Sequence, residues 1–300
     1  MSRKNLGILY GLLGVVLFSS KAIFVKLAYA HGADTLDLLL LRMLFSLPFY
    51  VAILIVVAPN KTVGKPSKKD FVWLSIFGFL GYYLASYFDL LGLNHIGAGL
   101  ERIILFVYPT FVVLLHWMFF KKRIGKVQTL AIAITYMGVL VTFWDALDTS
   151  GERVMLGVVL VLLSALTYAS YLVGSGWLIP KFGVLRFTCC AMIVSTLCVV
   201  VHYLLRGNWE GFDYPLAVYL YGLAMALLAT LLPSFLVSAS IERLGASNFS
   251  ILGSLGPVST IGLAFVFLDE NLSLWQLFGM LMVVFGVGYL SMKLKNPSKV

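Results

Sequence analysis

The sequence is poor in charged residues. Only 12% of its 300 residues are Asp, Glu, Lys or Arg, whereas 61% are hydrophobic and the mean hydropathy is +0.97. Soluble domains carry about 25% charged residues, so this chain lacks the polar surface that a water-soluble protein needs. The composition predicts a chain solvated by lipid.

Several chemical signatures are also missing. The three cysteines, Cys189, Cys190 and Cys198, fall in one apolar segment, and the four histidines have no metal-ligand spacing. We therefore expect no disulfide framework, no metal site and no cofactor. The chain has no phosphate-binding loop for ATP, no H-E-x-x-H motif and no clustered nucleophile and base, which argues against an enzyme.

Long hydrophobic runs dominate what is present. A helix needs about 20 apolar residues to span the hydrocarbon core, and the runs are too long and too evenly apolar for barrel strands. They predict an all-α polytopic membrane protein with ten transmembrane helices. The ten segments are 6–30, 35–58, 70–92, 98–120, 127–145, 154–177, 184–205, 215–239, 246–268 and 274–292.

The distribution of positive charge predicts the orientation. With the amino terminus in the cytoplasm, sixteen of the 22 Lys and Arg residues lie in inner segments, and only Arg153 and Arg206 lie in outer ones. This is the positive-inside bias, and it suits an anionic inner leaflet. The net charge of +9 therefore indicates an orientation in the inner or plasma membrane, with both termini cytoplasmic, and not nucleic-acid binding.

The chain also repeats itself at an offset of 148 residues. Gly97 and Ala98 align with Gly245 and Ala246, Pro109 aligns with Pro257, and Gln128 aligns with Gln276. Five spans separate the copies, so the halves 1–148 and 149–300 are predicted to be inverted five-helix repeats. The basic "KKR" at 121–123 aligns with the acidic "DEN" at 269–271, as opposite sides of a membrane would require. Inverted repeats with a central site are typical of secondary transporters.

In these features the chain resembles the EamA branch of the drug/metabolite transporter superfamily. The similarity includes "LLLLRMLFSLP" in span two and "FVFLDENLSLWQLFGMLMVVFGV" between spans nine and ten. It implies proton-coupled or exchange transport of small metabolites through a cavity between two helical bundles. Arg42, Pro109, Pro257 and Glu270 match positions typical of the family. Lys122 stands in place of a glutamate, and "SSK" at 19–21 in place of a tryptophan-glycine pair.

Ionisable side chains within a membrane indicate function, because burying each one costs at least a few kcal/mol. The candidates are Lys21, Lys26, Arg42, Asp89, Glu101 and Arg102. The last four are predicted to form a network in the outer half that gates the carrier and handles a proton. Glu101 and Arg102 are neighbours on a helix and are expected to have separate partners. Alternatively, Glu101 only stabilises a helix amino terminus.

Lys21 lies past the middle of span one, beside two serines. We expect a cavity cation that meets a carboxylate or an anionic substrate; the alternative is a lysine that reaches the interface or an acidic side chain. Lys26 lies nearer the outer end, where its ammonium can reach the interface. Tyr82 and Tyr168 are candidate cavity walls.

The expected function is secondary active transport of a small metabolite, either an amino acid-like compound, an organic acid or an amphiphilic drug, in uptake or efflux. Protons are the candidate coupling ion, and the expected assembly is a monomer or weak homodimer. A passive channel or a lipid scramblase is the alternative, ahead of an intramembrane enzyme.

Overall fold

The computed structural model describes residues 3–57, 66–120, 129–130, 133–141, 144, 152–206, 213–253, 255–269 and 273–294. All regular structure in these ranges is helical. The helices are α1 (Arg3–Ala30), α2 (Thr35–Val56), α3 (Lys68–Gly78), α4 (Ala85–Leu93), α5 (Ala98–Leu105), α6 (Tyr108–Phe120), α7 (133–141), α8 (Glu152–Phe182), α9 (Val184–Arg206), α10 (Leu216–Ala226), α11 (Leu232–Leu244), α12 (Ala246–Leu252), α13 (Leu255–Leu268) and α14 (Leu274–Leu294).

Seven helical segments in the described ranges are long and apolar enough to cross a membrane. They correspond to the first four predicted spans and to the sixth, seventh and eighth. The ninth predicted span is divided between α12 and α13, and α14 covers the tenth. Most of the fifth, 127–145, lies outside the described residues, as do Lys122 and Glu270, so ten spans remain a prediction.

Short polar stretches start the helices that follow loops. Asp34 accepts a hydrogen bond from the Leu36 amide at 2.8 Å and caps α2. Ser67 and Asp70 form a reciprocal capping box at the start of α3. Such caps satisfy the amides at a helix start that have no partner within the helix.

Unusual backbone features recur at the offset seen in the sequence. A π-helical turn at Phe79–Leu84 joins α3 to α4, and another at Leu227–Leu231 joins α10 to α11. The fourth span is interrupted between α5 and α6, and the aligned helices α12 and α13 are also separate. Because π turns are rare, their recurrence at aligned positions supports a duplicated fold.

Helix packing follows the same symmetry but crosses the midpoint of the chain. Helix α1 packs against α11 and α13, and its counterpart α8 packs against α4 and α6. Helices α2 and α9, which are also counterparts, pack against each other. The two halves of the chain therefore interdigitate and do not form two separate bundles.

Glycines allow this close packing between the halves. An added Cβ at Gly81 would lie 2.3 Å from Cβ of Tyr171, and one at Gly138 would lie 2.6 Å from the carbonyl oxygen of Gly279. The first contact brings the π turn of the third span against α8, and the second brings α7 against α14. Small residues permit such approach between apolar helices, where lipid tails provide no hydrophobic drive.

Candidate functional site

A cavity lies at the centre of the molecule, where six spans meet. Three of these spans come from each half of the chain. The cavity offers only about 50 Å³ of water-accessible volume, against roughly 300–1,000 Å³ for a typical small-molecule pocket. Its lining residues are Val15, Phe18, Ser19, Lys21, Gly81, Ala85, Ser86, Arg102, Leu105, Phe106, Tyr108, Ser164, Tyr168, Val237, Phe249, Gly253 and Gly256. The cavity is therefore too small for a typical small-molecule ligand in this structure.

Lys21 reaches this cavity from α1 and forms a buried ion pair. Its ammonium donates a hydrogen bond to Oδ2 of Asp89 in α4, and both residues are no more than 2% exposed. The ammonium also lies 5.1 Å from the ring centroid of Phe18. The contact with Asp89 fits both interpretations of Lys21, a cavity cation and a lysine that reaches an acidic side chain. The burial of Lys21 excludes a side chain that extends to the interface.

Arg42 lies behind the cavity wall. Its Nη2 donates to the hydroxyl of Ser86 at 2.9 Å, and it makes a longer contact of 3.9 Å with the sulfur of Met43. Its Nε and Nη1 have no hydrogen-bond acceptor. Burying a guanidinium with two unsatisfied donors costs free energy of folding. An ionisable side chain that is kept within a membrane span at such a cost is a candidate for function.

Glu101 and Arg102 contact each other, contrary to the expectation from their helix positions. Nε of Arg102 lies 3.8 Å from Oε2 of Glu101, an ion-pair distance without a hydrogen bond. The physical reason is the long arginine side chain, which bends back around α5 although the two Cβ atoms point about 100° apart. Arg102 continues into the cavity, whereas Glu101 stays behind its wall.

The carboxyl groups of Asp89 and Glu101 lie close enough to interact with each other. As ionised groups, Oδ1 of Asp89 and both oxygens of Glu101 have no hydrogen-bond donor. A proton shared between the two carboxyls would satisfy one oxygen of each and remove their mutual repulsion. Asp89 and Glu101 therefore form a candidate proton site. The site lies beside the cavity, and neither residue lines it.

Of the two tyrosines that were candidates for the cavity wall, one lines the cavity and the other does not. Tyr168 lines the cavity, with ring centroids 5.2 Å from Tyr108 and 6.2 Å from Phe18. Tyr82 is buried away from the cavity, edge-on to Tyr171 at 4.9 Å. Sequence reasoning missed Phe18 and Tyr108, because aromatics are too common in this chain for any single one to indicate a wall.

Polar contacts also join helix ends at the two ends of the helix bundle. We call the end of the bundle where α1 begins the inner end, and the opposite end the outer end. At the inner end, Lys181 donates to Asp70 at 2.6 Å, and a pocket of about 490 Å³ includes Arg186 and Arg243.

At the outer end, Arg206 of α9 donates to Asp34 at 2.8 Å and lies 3.6 Å from Asp37. The hydroxyl of Tyr214 donates to Asp37 at 2.5 Å. Burial and this carboxylate raise the pKa of Tyr214 to about 12, so its hydroxyl keeps its proton at physiological pH. We call Asp34, Asp37, Arg206 and Tyr214 the outer latch. In the sequence, only Arg206 pointed to this cluster, because it is one of the two basic residues predicted to lie in outer segments.

Comparison with known proteins identifies relatives of this chain. The chain is 31% identical to the "Uncharacterized transporter YcbK" of Bacillus subtilis (strain 168), over 96% of this chain and 94% of the relative. It is 27% identical to the "Uncharacterized transporter sll1319" of Synechocystis sp., over 99% and 97%. A crystal structure with 15% identity has the same fold, with a TM-score of 0.70 over 99% of both chains. The EamA-like transporter family matches at residues 5–144 and again at 155–292. The chain therefore belongs to the EamA-like transporter family and is an integral membrane protein.

Proposed function

We propose that the protein is a secondary active carrier that moves a small metabolite across the inner or plasma membrane by alternating access. The observation that carries this proposal is the contracted cavity with its buried ionic cluster, which six helices from both halves surround. A static pore would need a continuous wet path, whereas this cavity must expand to accept a solute. Both termini are cytoplasmic in this proposal, so the inner end, where α1 begins, faces the cytoplasm.

The halves 1–148 and 149–300 act as inverted repeats in this account. The two family matches, the paired π turns and the symmetric helix contacts support the duplication. The odd number of predicted spans in each half supports the inversion. Two bodies then rock around the cavity: one contains α1, α11 and α13, and the other contains α8, α4 and α6. The outer latch bridges α2 and α9 and holds the outer side closed.

Protons provide the drive through Asp89 and Glu101. In one state the two carboxyls share a proton; in the other, access to water lets the proton leave. Lys21 and Arg102 hold the remaining negative charge, since each contacts one of the two carboxyls. Movement of α4 relative to α5 would change the distance between the carboxyls and so couple protonation to the opening of the cavity.

The test is uptake by proteoliposomes under an imposed pH gradient, with a panel of labelled amino acids, organic acids and cationic drugs. Wild-type protein is expected to accumulate at least one compound above its external concentration. Glu101→Gln should reduce accumulation by at least tenfold but retain exchange at equal pH, because the amide cannot release a proton. Glu242→Gln, on an exposed carboxylate of α11, is the matched control.

Two results would contradict the proposal. Uptake that only equilibrates would indicate a channel, which cannot concentrate a neutral solute. An unchanged pH response in Glu101→Gln would make the carboxyl pair a structural feature. Asp89→Asn is the less informative variant, since it also deprives Lys21 of its partner.

A further inference from the structure

We propose that the transported metabolite is an organic anion: a small carboxylate with an apolar or aromatic body, anchored by Arg102. This inference rests on the proposed carrier function and specifies the substrate class of the same cavity. Four features of the described residues support it: the charge of the buried cluster, the unused donors of Arg102, the helix starts at the cavity and the chemistry of its wall.

The buried cluster carries more positive than negative charge. Lys21, Arg42 and Arg102 face Asp89 and Glu101, and all five are at most 6% exposed. When the two carboxyls share a proton, the excess rises by one further positive charge. A buried charge without a counter-ion is strongly unfavourable, and an anion in the cavity would neutralise it.

Arg102 presents unused donors at the cavity. Its Nε and Nη2 have no hydrogen-bond acceptor, and its nearest carboxylate oxygen is the one of Glu101 at 3.8 Å. A guanidinium offers paired N–H groups in a fixed plane that matches the two oxygens of a carboxylate. Lys21 is less suitable as the anchor, because Asp89 already holds its ammonium.

Two helices, α6 and α13, begin at the cavity, beside the ends of α5 and α12. The lining includes Phe106 and Tyr108 where α6 starts, and Gly253 and Gly256 where α13 starts. An added Cβ at Gly256 would lie 3.9 Å from Cδ of Arg102, so the arginine passes directly beside the start of α13. The amino-terminal ends of interrupted membrane helices carry partial positive charge and favour anionic groups of substrates.

The wall of the cavity disfavours a cationic or zwitterionic substrate. None of the described residues that line it is acidic, so a substrate ammonium would have no counter-ion there. Phe18, Phe106, Tyr108 and Tyr168 form an aromatic surface instead. A hydrocarbon or aromatic body suits this surface, and a single carboxylate suits Arg102.

The test measures binding to the purified full-length protein by calorimetry and thermal shift. The probes are 3-phenylpropionate, its uncharged amide 3-phenylpropionamide, 2-phenylethylamine and phenylalanine, which share the aromatic body and differ in charge. We expect 3-phenylpropionate to bind at least tenfold more tightly than the other three. Comparable or tighter binding of the amine, the amide or phenylalanine would overturn the proposal.

Variants locate the site. Arg102→Gln is expected to weaken 3-phenylpropionate binding at least tenfold, and Arg102→Lys less, because a lysine keeps the charge without the paired geometry. The double variant Glu101→Gln/Arg102→Gln preserves the net charge of the cluster and serves if the single variant does not fold. Lys69→Gln, at an exposed lysine of α3, is the control and should bind as the wild type does.

Undiminished binding in both the single and the double Arg102→Gln variants would also overturn the assignment. Binding and transport are scored separately, so the two proposals fail in different ways. Carboxylate binding with only passive equilibration across proteoliposomes would refute the carrier and keep the anion site. Concentrative uptake of an amine without carboxylate binding would keep the carrier and refute the anion site.

Discussion

At the scale of single residues, the sequence could show which charges matter but not how they combine. Lys21, Arg42, Asp89 and Arg102 are conspicuous because a charge within an apolar run is rare. The pairing of Lys21 with Asp89 joins residues 68 positions apart and depends on how α1 packs against α4. The contact between Glu101 and Arg102 was missed because side-chain reach, not helix position, brings it about.

The Lys21–Asp89 pair leads to a prediction about stability. Lys21→Met should destabilise the protein by about 3–5 kcal/mol, because it leaves a buried carboxylate without its cation. Asp89→Leu should do the same for the ammonium. The double variant should recover most of this loss, since two apolar residues leave no buried charge unpaired. Reversible unfolding in detergent, followed by tryptophan fluorescence, measures the difference.

Lys69→Met is the matched control for this comparison, because Lys69 is exposed at the start of α3. It should change the free energy of unfolding by less than about 0.5 kcal/mol. If the double variant is as unstable as the sum of the two single ones, the two side chains do not act as a pair.

At the scale of helices, the interruptions were partly predictable. Pro109 and Pro257 lack an amide hydrogen, and each lies within the first three residues of the helix that follows an interruption. The π turns had no signal, since no residue pattern in Phe79–Leu84 or Leu227–Leu231 distinguishes them from α-helix. They become visible only through the backbone, and their shared offset then supports the repeat.

The contact between Gly81 and Tyr171 supports a prediction about these helices. Gly81→Ala places a Cβ 2.3 Å from Cβ of Tyr171, too close for either backbone to remain in place. We expect a loss of about 1–3 kcal/mol in the free energy of unfolding, as overpacked cores show. Gly262→Ala in α13 has nothing within 4 Å and should be nearly neutral. Equal unfolding curves for the two variants would show that the third span and α8 are not so close.

At the scale of the whole molecule, the repeat predicted the symmetry but not the interdigitation. Aligned residues such as Pro109 and Pro257 relate the halves, but say nothing about which helices touch. The close approaches that decide this depend on glycines such as Gly81 and Gly138, whose partners lie in the other half. Because each proposed body contains helices of both halves, neither half is expected to transport alone.

The outer latch should bias the equilibrium between the two open states. Arg206 and Asp34 are partly exposed, and exposed ion pairs contribute about 0–1 kcal/mol. Arg206→Gln should therefore shift the balance toward the outward-open state by up to about fivefold. The shift is small enough to leave folding intact and large enough to observe in an accessibility experiment.

The most direct test of alternating access is the labelling of one cysteine in the cavity from each side of the membrane. Ser164→Cys places a thiol in the cavity wall, in a background where Cys189, Cys190 and Cys198 are replaced by alanine. A membrane-impermeant reagent should reach it from either face, and Arg206→Gln should raise outer labelling while it lowers inner labelling. Labelling that rises at both faces together would indicate a pore and contradict the carrier.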